Sequence, residues 1–316
     1  MSLAKKILVT GSNGFVGRRL AVALQAQGHH VTGTVRSRPS NNQLLCDFSG
    51  ENDYSQIVEG QDWIVHCAAR VHQMQDTASD PVAAFAKVNT DATLSLAQAA
   101  ANAGVKRFVF VSTAKVCGES SQIGCPLRED IANETPDDPY AISKKAAEIG
   151  LRKLAEQTGM EVVVIRPPLV YGPGVKANFA ALMNWVGKGL PLPLGAVDNS
   201  RSFIFIDNLI DVICLSLTHH AAANRTFLVS DDDDVSTTDL LKQLAVAMGK
   251  PSRLIPVPPS WLLGATRLLG RPQIGERLCG SLQLDIRQVK EALNWTPPFT
   301  MQQGLEQMMS EISEKS

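Results

Sequence analysis

The start of the chain changes from one hydrophobic pattern to another across a glycine-containing turn. Residues 7–9 form a short apolar run, which is typical of a buried strand. After the turn, Val16, Leu20, Ala23 and Leu24 recur at helical spacing and define one apolar face. The sequence therefore predicts a strand, a tight turn and a helix that packs on a sheet.

Three glycines occupy this turn in the pattern G-x-x-G-x-x-G. Gly11 would permit the tight turn, Gly14 would let a pyrophosphate approach the backbone, and Gly17 would allow close packing of helix on strand. Free N–H groups at the helix start would then face the phosphates. We predict a dinucleotide site; the alternative is a structural turn in another parallel α/β protein.

Further apolar runs predict the remaining strands, and helical patterns lie between them. The predicted strands cover 30–35, 63–69, 107–113, 162–165 and 226–229. Three prolines and two glycines follow within 167–174, so the chain is expected to leave the sheet there. We predict an α/β fold with a dinucleotide-binding domain over 1–170, a last sheet strand from about 226–230, and a smaller substrate-binding lobe over 171–316.

Composition narrows the class of protein. The 316 residues are 44% hydrophobic and 19% charged with a net charge of -1, which predicts a soluble globular protein without a global attraction to nucleic acid or anionic membranes. The six cysteines form no C-x-x-C pair, which favours free thiols and a reducing, cytoplasmic setting. We predict no membrane span, no targeting segment and no metal site; the aspartates at 231–234 are interpreted as a solvated loop.

The residues that follow the second predicted strand bear on which dinucleotide binds. Arg36 stands where an acidic residue would bind the ribose 2′-hydroxyl, and arginine suits a 2′-phosphate instead. The cofactor is therefore predicted to be NAD or NADP, with Arg36 favouring NADP(H). Arg38 could contribute in the same way, and the alternative is that both are solvated arginines on a loop.

Other positions would line the rest of the cofactor. Asp47 and Phe48 could flank the adenine, while Ala68 and Ala69 are small enough to leave room for it. Asn89 lies in a predicted helix and could hold adjacent backbone or serve as a buried polar contact.

Tyr140 and Lys144 form the pattern with the clearest chemistry. Four residues apart, they share one face of a predicted helix, and an ammonium near the phenol would lower its pKa. Tyr140 could then exchange a proton near neutral pH. Thr113 ends a predicted strand at the sheet edge where ligands bind and would orient the substrate oxygen. A Y-x-x-x-K pattern also occurs on solvated helices.

Taken together, these motifs resemble those of the extended short-chain dehydrogenase/reductases, the NAD-dependent epimerase/dehydratase family. The resemblance spans nearly the whole chain and includes the glycine turn, Ser112-Thr113, the Tyr140/Lys144 pair and the segments 166–174 and 201–204. It implies a Rossmann fold, a doubly wound parallel sheet, with a nucleotide-sugar substrate bound by the C-terminal lobe. A homodimer through the helices of 85–103 and 140–157 is a further implication.

The resemblance also implies a set of site residues. The predicted cofactor-binding residues are Gly11, Asn13, Gly14, Phe15, Val16, Gly17, Arg36, Asp47, Phe48, Ala68, Ala69, Arg70, Asn89, Tyr140, Lys144 and Pro167. The predicted substrate-binding residues are Thr113, Asn178, Arg201 and Arg277, the last from a loose match to an R-x-G-D element. Arginine suits this task because a guanidinium matches phosphate oxygens bidentately.

Two departures from the family pattern narrow the chemistry. Cys117 replaces the tyrosine of the usual S-[ST]-x-x-V-Y-G segment. Ala114 and Lys115 stand where sugar dehydratases of the family carry Asp-Glu, which disfavours dehydration. The chain looks most like the UDP-glucose 4-epimerase-like subgroup, which also contains 4-keto-sugar reductases.

The sequence therefore predicts oxidoreduction at C4 of a UDP-hexose or UDP-N-acetylhexosamine, as an epimerase or a 4-keto reductase. Two alternatives stay open. One is a redox sensor that binds NADP(H) without turnover; the other is a reductase of a small non-nucleotide carbonyl, which Asn178 and Arg201 disfavour.

Overall fold

The computed structural model describes residues 3–50, 52–71, 80–130 and 136–314. A seven-stranded parallel sheet lies at its centre, in the order β3-β2-β1-β4-β5-β6-β9, and β7 and β8 pair in a small second sheet. The strands are β1 (Lys6–Thr10), β2 (His30–Val35), β3 (Gln43–Leu45), β4 (Trp63–His66), β5 (Arg107–Val111), β6 (Glu161–Arg166), β7 (Leu169–Tyr171), β8 (Phe203–Phe205) and β9 (Arg225–Leu228).

Helices connect and cover these strands. They are α1 (Phe15–Ala26), α2 (Ser55–Val58), α3 (Pro81–Ala86), α4 (Ala92–Asn102), α5 (Pro139–Thr158), α6 (Ala177–Gly187), α7 (Ile206–Thr218), α8 (Thr237–Ala247), α9 (Pro259–Leu268), α10 (Pro272–Cys279), α11 (Arg287–Leu293) and α12 (Met301–Ser313). None of them combines the length and the apolar composition that crossing a membrane requires, within the ranges given above.

The sheet is buried on both faces. Ile7 and Val9 of β1 belong to one apolar cluster with Leu20 of α1, while Leu8 belongs to a second cluster with Leu96 of α4. Alternate residues of a strand point to opposite faces, so a run that is apolar throughout requires helices on both sides. The predicted doubly wound α/β fold is confirmed.

The strand order places a crevice beside β1. That strand pairs with β2 on one side and β4 on the other, so the chain order reverses there. Ligands of open parallel sheets bind outside the carboxyl ends of the strands at such a point. The predicted glycine turn follows β1 directly and therefore lies at this crevice.

The predicted helix that contains Asn89 is interrupted in the structure. Residues Lys87–Asp91 form a π-helical turn between α3 and α4, and Asn89 within it is fully buried. A π turn adds one residue to the helical repeat, and such turns are frequent at functional sites.

The loop at 231–234 is also unlike its interpretation. Asp231 is 5% exposed, and it accepts hydrogen bonds from the Tyr171 hydroxyl, the Phe205 backbone N–H and the Asn208 amide at 2.7–2.8 Å. The solvated-loop interpretation is wrong for this residue, because three donors compensate the burial of its carboxylate. Burial nevertheless raises its pKa to about 6.

After β6 the chain leaves the central sheet, forms β7, α6, β8 and α7, and returns as β9. The return at Arg225–Leu228 lies within two residues of the predicted last strand. The division of the chain at residue 170 into two domains stays a prediction.

Candidate active site

The glycine turn between β1 and α1 is packed too closely for larger residues at two of its positions. Gly11 has a φ of +64°, and a Cβ there would lie 3.0 Å from the Cα of Ala68. A Cβ on Gly17 would lie 2.3 Å from the Gly11 carbonyl oxygen. A larger residue at either position would therefore distort the turn.

The start of α1 is free of side-chain partners. Gly14 is the N-cap, no side chain caps it, and no acidic residue lies in the first turn. The first N–H groups of a helix lack intrahelical acceptors and attract anions. The turn and the helix start thus fit the phosphates of a dinucleotide, which would be held by Gly11, Asn13, Gly14 and the backbone of α1.

A buried hydrogen-bond chain fixes the backbone opposite the turn. The Thr10 hydroxyl oxygen accepts from the N–H groups of Cys67 and Ala68, each at 3.1 Å, and lies 2.8 Å from His66 Nδ1. With two donors already directed at it, the hydroxyl donates its own hydrogen to His66, which must be unprotonated at Nδ1. Burial is also the main reason that the pKa of His66 falls to about 3.

Asn89 connects this backbone to the start of α5. Its Oδ1 accepts from the Arg70 N–H at 2.8 Å, and its Nδ2 donates to the Arg70 carbonyl and the Ser143 hydroxyl, each at 3.0 Å. Ser143 in turn donates to the Tyr140 carbonyl at 2.7 Å. Every polar atom of this amide is directed at protein, so Asn89 aligns the segment beside the turn with the helix that carries Tyr140. Its direct contact with cofactor stays a prediction.

Tyr140 lies in the first turn of α5 and is half-buried. Burial raises the pKa of its phenol to about 12, and the negative charge of Asp138 adds to this. The expectation that the nearby ammonium lowers this pKa is therefore not met by the protein groups alone. Loss of water around the phenol is the main cause of the raised pKa.

Lys144, one turn later, is 1% exposed. Its Nζ lies 3.9 Å from the centre of the Phe110 ring, and burial lowers its pKa to about 7, while the carboxylate of Glu148 opposes this. An amine with such a pKa can gain or lose a proton near neutrality.

Beneath the Tyr140/Lys144 pair lies an ion pair that the sequence analysis missed. Arg166 donates to both carboxylate oxygens of Glu148, with the shortest distance 2.5 Å, and also to the sulfur of Cys117 at 3.2 Å. Glu148 accepts from the Ser112 hydroxyl as well. The position of Glu148 four residues after Lys144, on the same helix face, was the available signal.

The two departures from the family pattern acquire partners here. Cys117 is 1% exposed, and its sulfur accepts a hydrogen bond from the guanidinium of Arg166. A tyrosine hydroxyl could accept a hydrogen bond from the same guanidinium. Lys115 forms an ion pair with Asp138, the N-cap of α5, whose Oδ1 accepts from the Tyr140 N–H at 3.0 Å. The ion pair of Lys115 and Asp138 therefore stabilises the start of the helix that carries Tyr140.

Thr113 is half-buried at the end of β5 and caps a short 3₁₀ turn, accepting from the Lys115 N–H at 3.3 Å. Pro167 is buried beside it, and its carbonyl accepts from the Ala114 N–H at 2.8 Å. Both follow carboxyl ends of sheet strands, where the resemblance puts the reacting part of the ligands. Their roles stay predictions.

The adenine side of the crevice carries three of the predicted residues. Arg36 and Asp47 are exposed, and the positive charge of Arg36 contributes to the lowered pKa of Asp47, after the hydrogen bonds from Ser49. Phe48 is only 5% exposed and packs edge-on against His66 at 5.3 Å between ring centres. Most of its ring is therefore committed to the core.

The remaining cofactor predictions fall around the same crevice. Asn13 is exposed, while Phe15, Val16, Ala69 and Arg70 are half-buried. Contact of these side chains with a dinucleotide stays a prediction.

Two of the predicted substrate arginines line one pocket. Arg201 and Arg277 enclose a cavity of about 250 Å³ together with Trp185 and Leu278. The Arg201 guanidinium donates to the carbonyls of Arg277 and Gly280 at 3.0 and 2.8 Å. Burial and the neighbouring charge of Arg277 lower the pKa of Arg201.

Among the described residues, no carboxylate forms an ion pair with either arginine. A cavity with two unneutralised guanidinium groups favours an anion such as a diphosphate. The side chain of Asn178, another predicted substrate-binding residue, lies outside the described part of the structure.

Comparisons with known proteins identify the family of this chain. The model of the NAD dependent epimerase/dehydratase family matches residues 7–230. A protein named UDP-glucose 4-epimerase from Vibrio cholerae is 44% identical over 314 residues, covering 96% of this chain and 94% of that protein. The N-acetyl-alpha-D-glucosaminyl-diphospho-ditrans,octacis-undecaprenol 4-epimerase of Escherichia coli O157:H7 is 25% identical, covering 96% and 94%.

The fold is shared with solved structures. The crystal structure of UDP-N-acetylglucosamine 4-epimerase from Bacillus cereus superposes with a TM-score of 0.81 at 19% identity, covering 98% of this chain and 100% of that one. The match of the family model to most of the chain, together with the Vibrio cholerae relative, confirms the predicted enzyme class and the prediction of NAD or NADP as cofactor. The chain belongs to the NAD-dependent epimerase/dehydratase family of extended short-chain dehydrogenase/reductase enzymes.

Proposed function

We propose that this enzyme interconverts the alcohol and ketone at C4 of a UDP-hexose or UDP-N-acetylhexosamine and works as a 4-epimerase. The observation that carries the proposal is the Asn89 connection, which aligns the backbone beside the glycine turn with the helix of Tyr140 and Lys144. The arginine pair at 201 and 277 supports a sugar that carries a diphosphate.

When bound, the nicotinamide would accept a hydride and return it, and its positive charge in the oxidised form would favour a phenolate nearby. Tyr140 would take the proton of the C4 hydroxyl during oxidation and return it during reduction. The pKa of about 12 suits the donating half of this cycle, and a nearby cationic group is needed for the accepting half. Lys144, one helical turn from Tyr140, would supply that charge.

Thr113 would hold the C4 oxygen by a hydrogen bond, because its hydroxyl lies at the carboxyl end of β5. Arg201 and Arg277 would hold the diphosphate. For epimerisation the ketone must rotate and receive the hydride on its other face, so the diphosphate would stay bound while the sugar ring turns over.

The test is conversion of UDP-glucose and UDP-N-acetylglucosamine, followed by NMR of the C4 epimers together with nicotinamide absorbance. An epimerase converts the sugar without a net change in that absorbance. We expect Tyr140→Phe to lower turnover by about 10²–10⁴-fold, because the proton acceptor is lost while the ring remains. Tyr54→Phe, in the core, is the matched control and should retain full turnover.

Unaltered turnover in the Tyr140→Phe variant would overturn the catalytic assignment. Binding of NADP(H) by the parent without conversion of any sugar would favour the NADP(H)-binding sensor. A thermal shift with UDP alone tests the third possibility, since a reductase of a small carbonyl without a nucleotide should show no uridine-dependent stabilisation.

A 4-keto-sugar reductase is a second candidate, and Arg36 is the observation that favours it. The side chain is exposed after β2, where it could meet a 2′-phosphate. A reductase would consume one NADPH per ketone reduced. Arg36→Ala should then weaken NADPH binding and leave NADH binding unchanged.

A further inference from the structure

The hairpin of α9 and α10 exposes apolar side chains without a partner in the described structure. No residue of α9 is buried, and Trp261, Leu268 and Leu269 are 72%, 90% and 76% exposed. Ile274 of α10 is 43% exposed. Contiguous exposed apolar residues of this size mark an interaction surface.

This exposure is not a sign of loose packing of the hairpin. Gly275 of α10 is buried, and a Cβ there would lie 2.3 Å from the Thr266 hydroxyl oxygen of α9. Leu262 and Leu278 pack against the main apolar cluster of the protein. The inner side of the hairpin is therefore fixed, and its outer side remains apolar.

The segment that contains the exposed side chains is cationic. Residues 250–271 include Lys250, Arg253, Arg267 and Arg271, all exposed, and no aspartate or glutamate. The whole chain has a net charge of -1, so this is a local concentration of charge. Apolar side chains with tryptophan among them, flanked by Lys and Arg, are typical of helices that lie in the interface of anionic membranes.

The cationic hairpin also forms one wall of an apolar groove that continues from the arginine pocket. The groove has a volume of about 310 Å³, and Leu190, Leu192 and Leu262 line it. Trp185 and Leu278 line both the groove and the cavity of Arg201 and Arg277. A ligand whose diphosphate meets the arginines could therefore extend an apolar chain along the groove toward the hairpin.

We propose that this face docks on an anionic membrane and that the enzyme acts on sugars attached to a polyprenyl diphosphate. The apolar residues of the hairpin insert among the lipids, the four basic residues meet lipid phosphates, and the groove receives the first units of the polyprenyl chain. This inference rests on the proposed C4 chemistry for its substrate half. Docking itself does not depend on that chemistry.

A second copy of the chain is a poorer occupant. Pairing two hairpins would bring two cationic surfaces together, because each hairpin carries three arginines and Glu276 as its single acidic residue. Like charges placed opposite each other oppose association.

The first test is flotation of the purified full chain with vesicles, because it requires no turnover. We expect the protein to float with vesicles of phosphatidylglycerol and phosphatidylethanolamine, to stay behind with phosphatidylcholine alone, and to lose binding as salt rises. The triple variant Trp261→Ser/Leu268→Ser/Leu269→Ser should lose at least tenfold in vesicle affinity. Its turnover of UDP-sugar should be unchanged, since these three residues line neither cavity.

A matched control replaces three exposed apolar residues that are distant in sequence from the hairpin. Leu3, Val22 and Ile123 are 82%, 61% and 69% exposed, and their triple serine variant should float like the parent. Equal flotation of the hairpin variant and its parent overturns docking. So does a hairpin variant that changes from dimer to monomer in gel filtration without a change in flotation.

The second test compares carriers. We expect N-acetylglucosamine on a long polyprenyl diphosphate, supplied in the anionic vesicles, to be converted at C4, and the hairpin variant to convert it at least tenfold more slowly. UDP-sugar turnover without any turnover of the lipid-linked sugar overturns the substrate half. Vesicle binding with no turnover of either sugar overturns the proposed function and leaves docking supported.

Discussion

At the scale of single residues, burial decides the chemistry of the Tyr140/Lys144 pair. The sequence places an ammonium one helical turn from a phenol, and the expectation of a lowered phenol pKa follows from charge alone. In the structure, desolvation raises the pKa of Tyr140 and lowers that of Lys144. The depth at which a side chain is buried depends on the tertiary fold, so local spacing could not predict it.

The buried Lys144 should make the protein less stable below neutral pH than it would be without that amine. Its pKa of about 7 in the folded chain lies below the usual 10.5, so the unfolded chain binds more protons between these values. Stability therefore rises with pH through this window, and the cost of burying the ammonium is complete below pH 7. We expect Lys144→Met to be more stable than the parent at about pH 6, by about 2–4 kcal/mol.

Chemical unfolding of parent and variant from about pH 6 to pH 9 measures this, and the difference should shrink as pH rises. Lys153→Met changes an exposed lysine of the same helix and should show no such trend. A Lys144→Met variant that is less stable than the parent at low pH would contradict the prediction. Its turnover should fall in any case.

At the scale of elements, the ion pair of Glu148 and Arg166 joins α5 to β6. Both side chains are at most 5% exposed, and Ser112 and Cys117 complete their contacts. We expect Glu148→Gln to lower the free energy of unfolding by about 3–5 kcal/mol, because the guanidinium is left buried without its counter-charge.

Urea unfolding measures this loss, with Glu156→Gln on an exposed position of α5 as the control that should change little. Replacing both partners by methionine should cost less than the single change, since no unpaired charge then remains buried. A larger loss of unfolding free energy in the double variant than in Glu148→Gln would contradict this prediction. It would show that the packing and hydrogen bonds of the two side chains matter more than the buried charge.

The elements also show where sequence patterns lose information. The apolar spacing between Phe85 and Ala99 predicts one helix, yet a π turn interrupts it at Asn89. The apolar positions 85, 88, 92, 96 and 99 keep spacings of three or four residues through the turn, so the pattern does not detect the extra residue. The contacts of Asn89 with Arg70 and Ser143 arise between distant segments and have no signature near residue 89.

At the scale of the whole molecule, Arg19 connects α1, the helix that follows the glycine turn, with α7 and α12. Its guanidinium donates twice to Asp207 of α7, at 2.7 Å, and twice to Glu311 of α12, at 2.7 and 3.0 Å. The side chain is 32% exposed, so water screens part of the attraction. We expect Arg19→Gln to cost about 1–2 kcal/mol of stability at low salt and less at high salt.

Urea midpoints at two salt concentrations provide the measurement. Arg18→Gln alters the adjacent exposed arginine and should leave the midpoint unchanged at both. A salt-independent effect of Arg19→Gln would mean that packing of the long side chain, rather than its charge, is what matters.

The overall architecture was the part most accessible to prediction. Continuous apolar runs such as 108–111, with the glycines at 11, 14 and 17, favour a parallel sheet covered on both faces and a phosphate turn beside it. The sequence does not predict that Asp231 and Glu148 are buried, because acidic residues are usually exposed to solvent. Only the assembled fold surrounds these two carboxylates with hydrogen-bond donors.

The origin of β9 affects how the molecule is made. When Arg166 has been synthesised, the chain contains six strands of the central sheet. The outer edge of β6 pairs with β9, which is synthesised roughly sixty residues later. At about 5–20 residues per second, this leaves the nascent chain with an unpaired hydrophobic edge for several seconds. Such edges pair readily with foreign strands. Biosynthesis of this enzyme therefore includes an interval in which a ribosome-associated chaperone would have its best target.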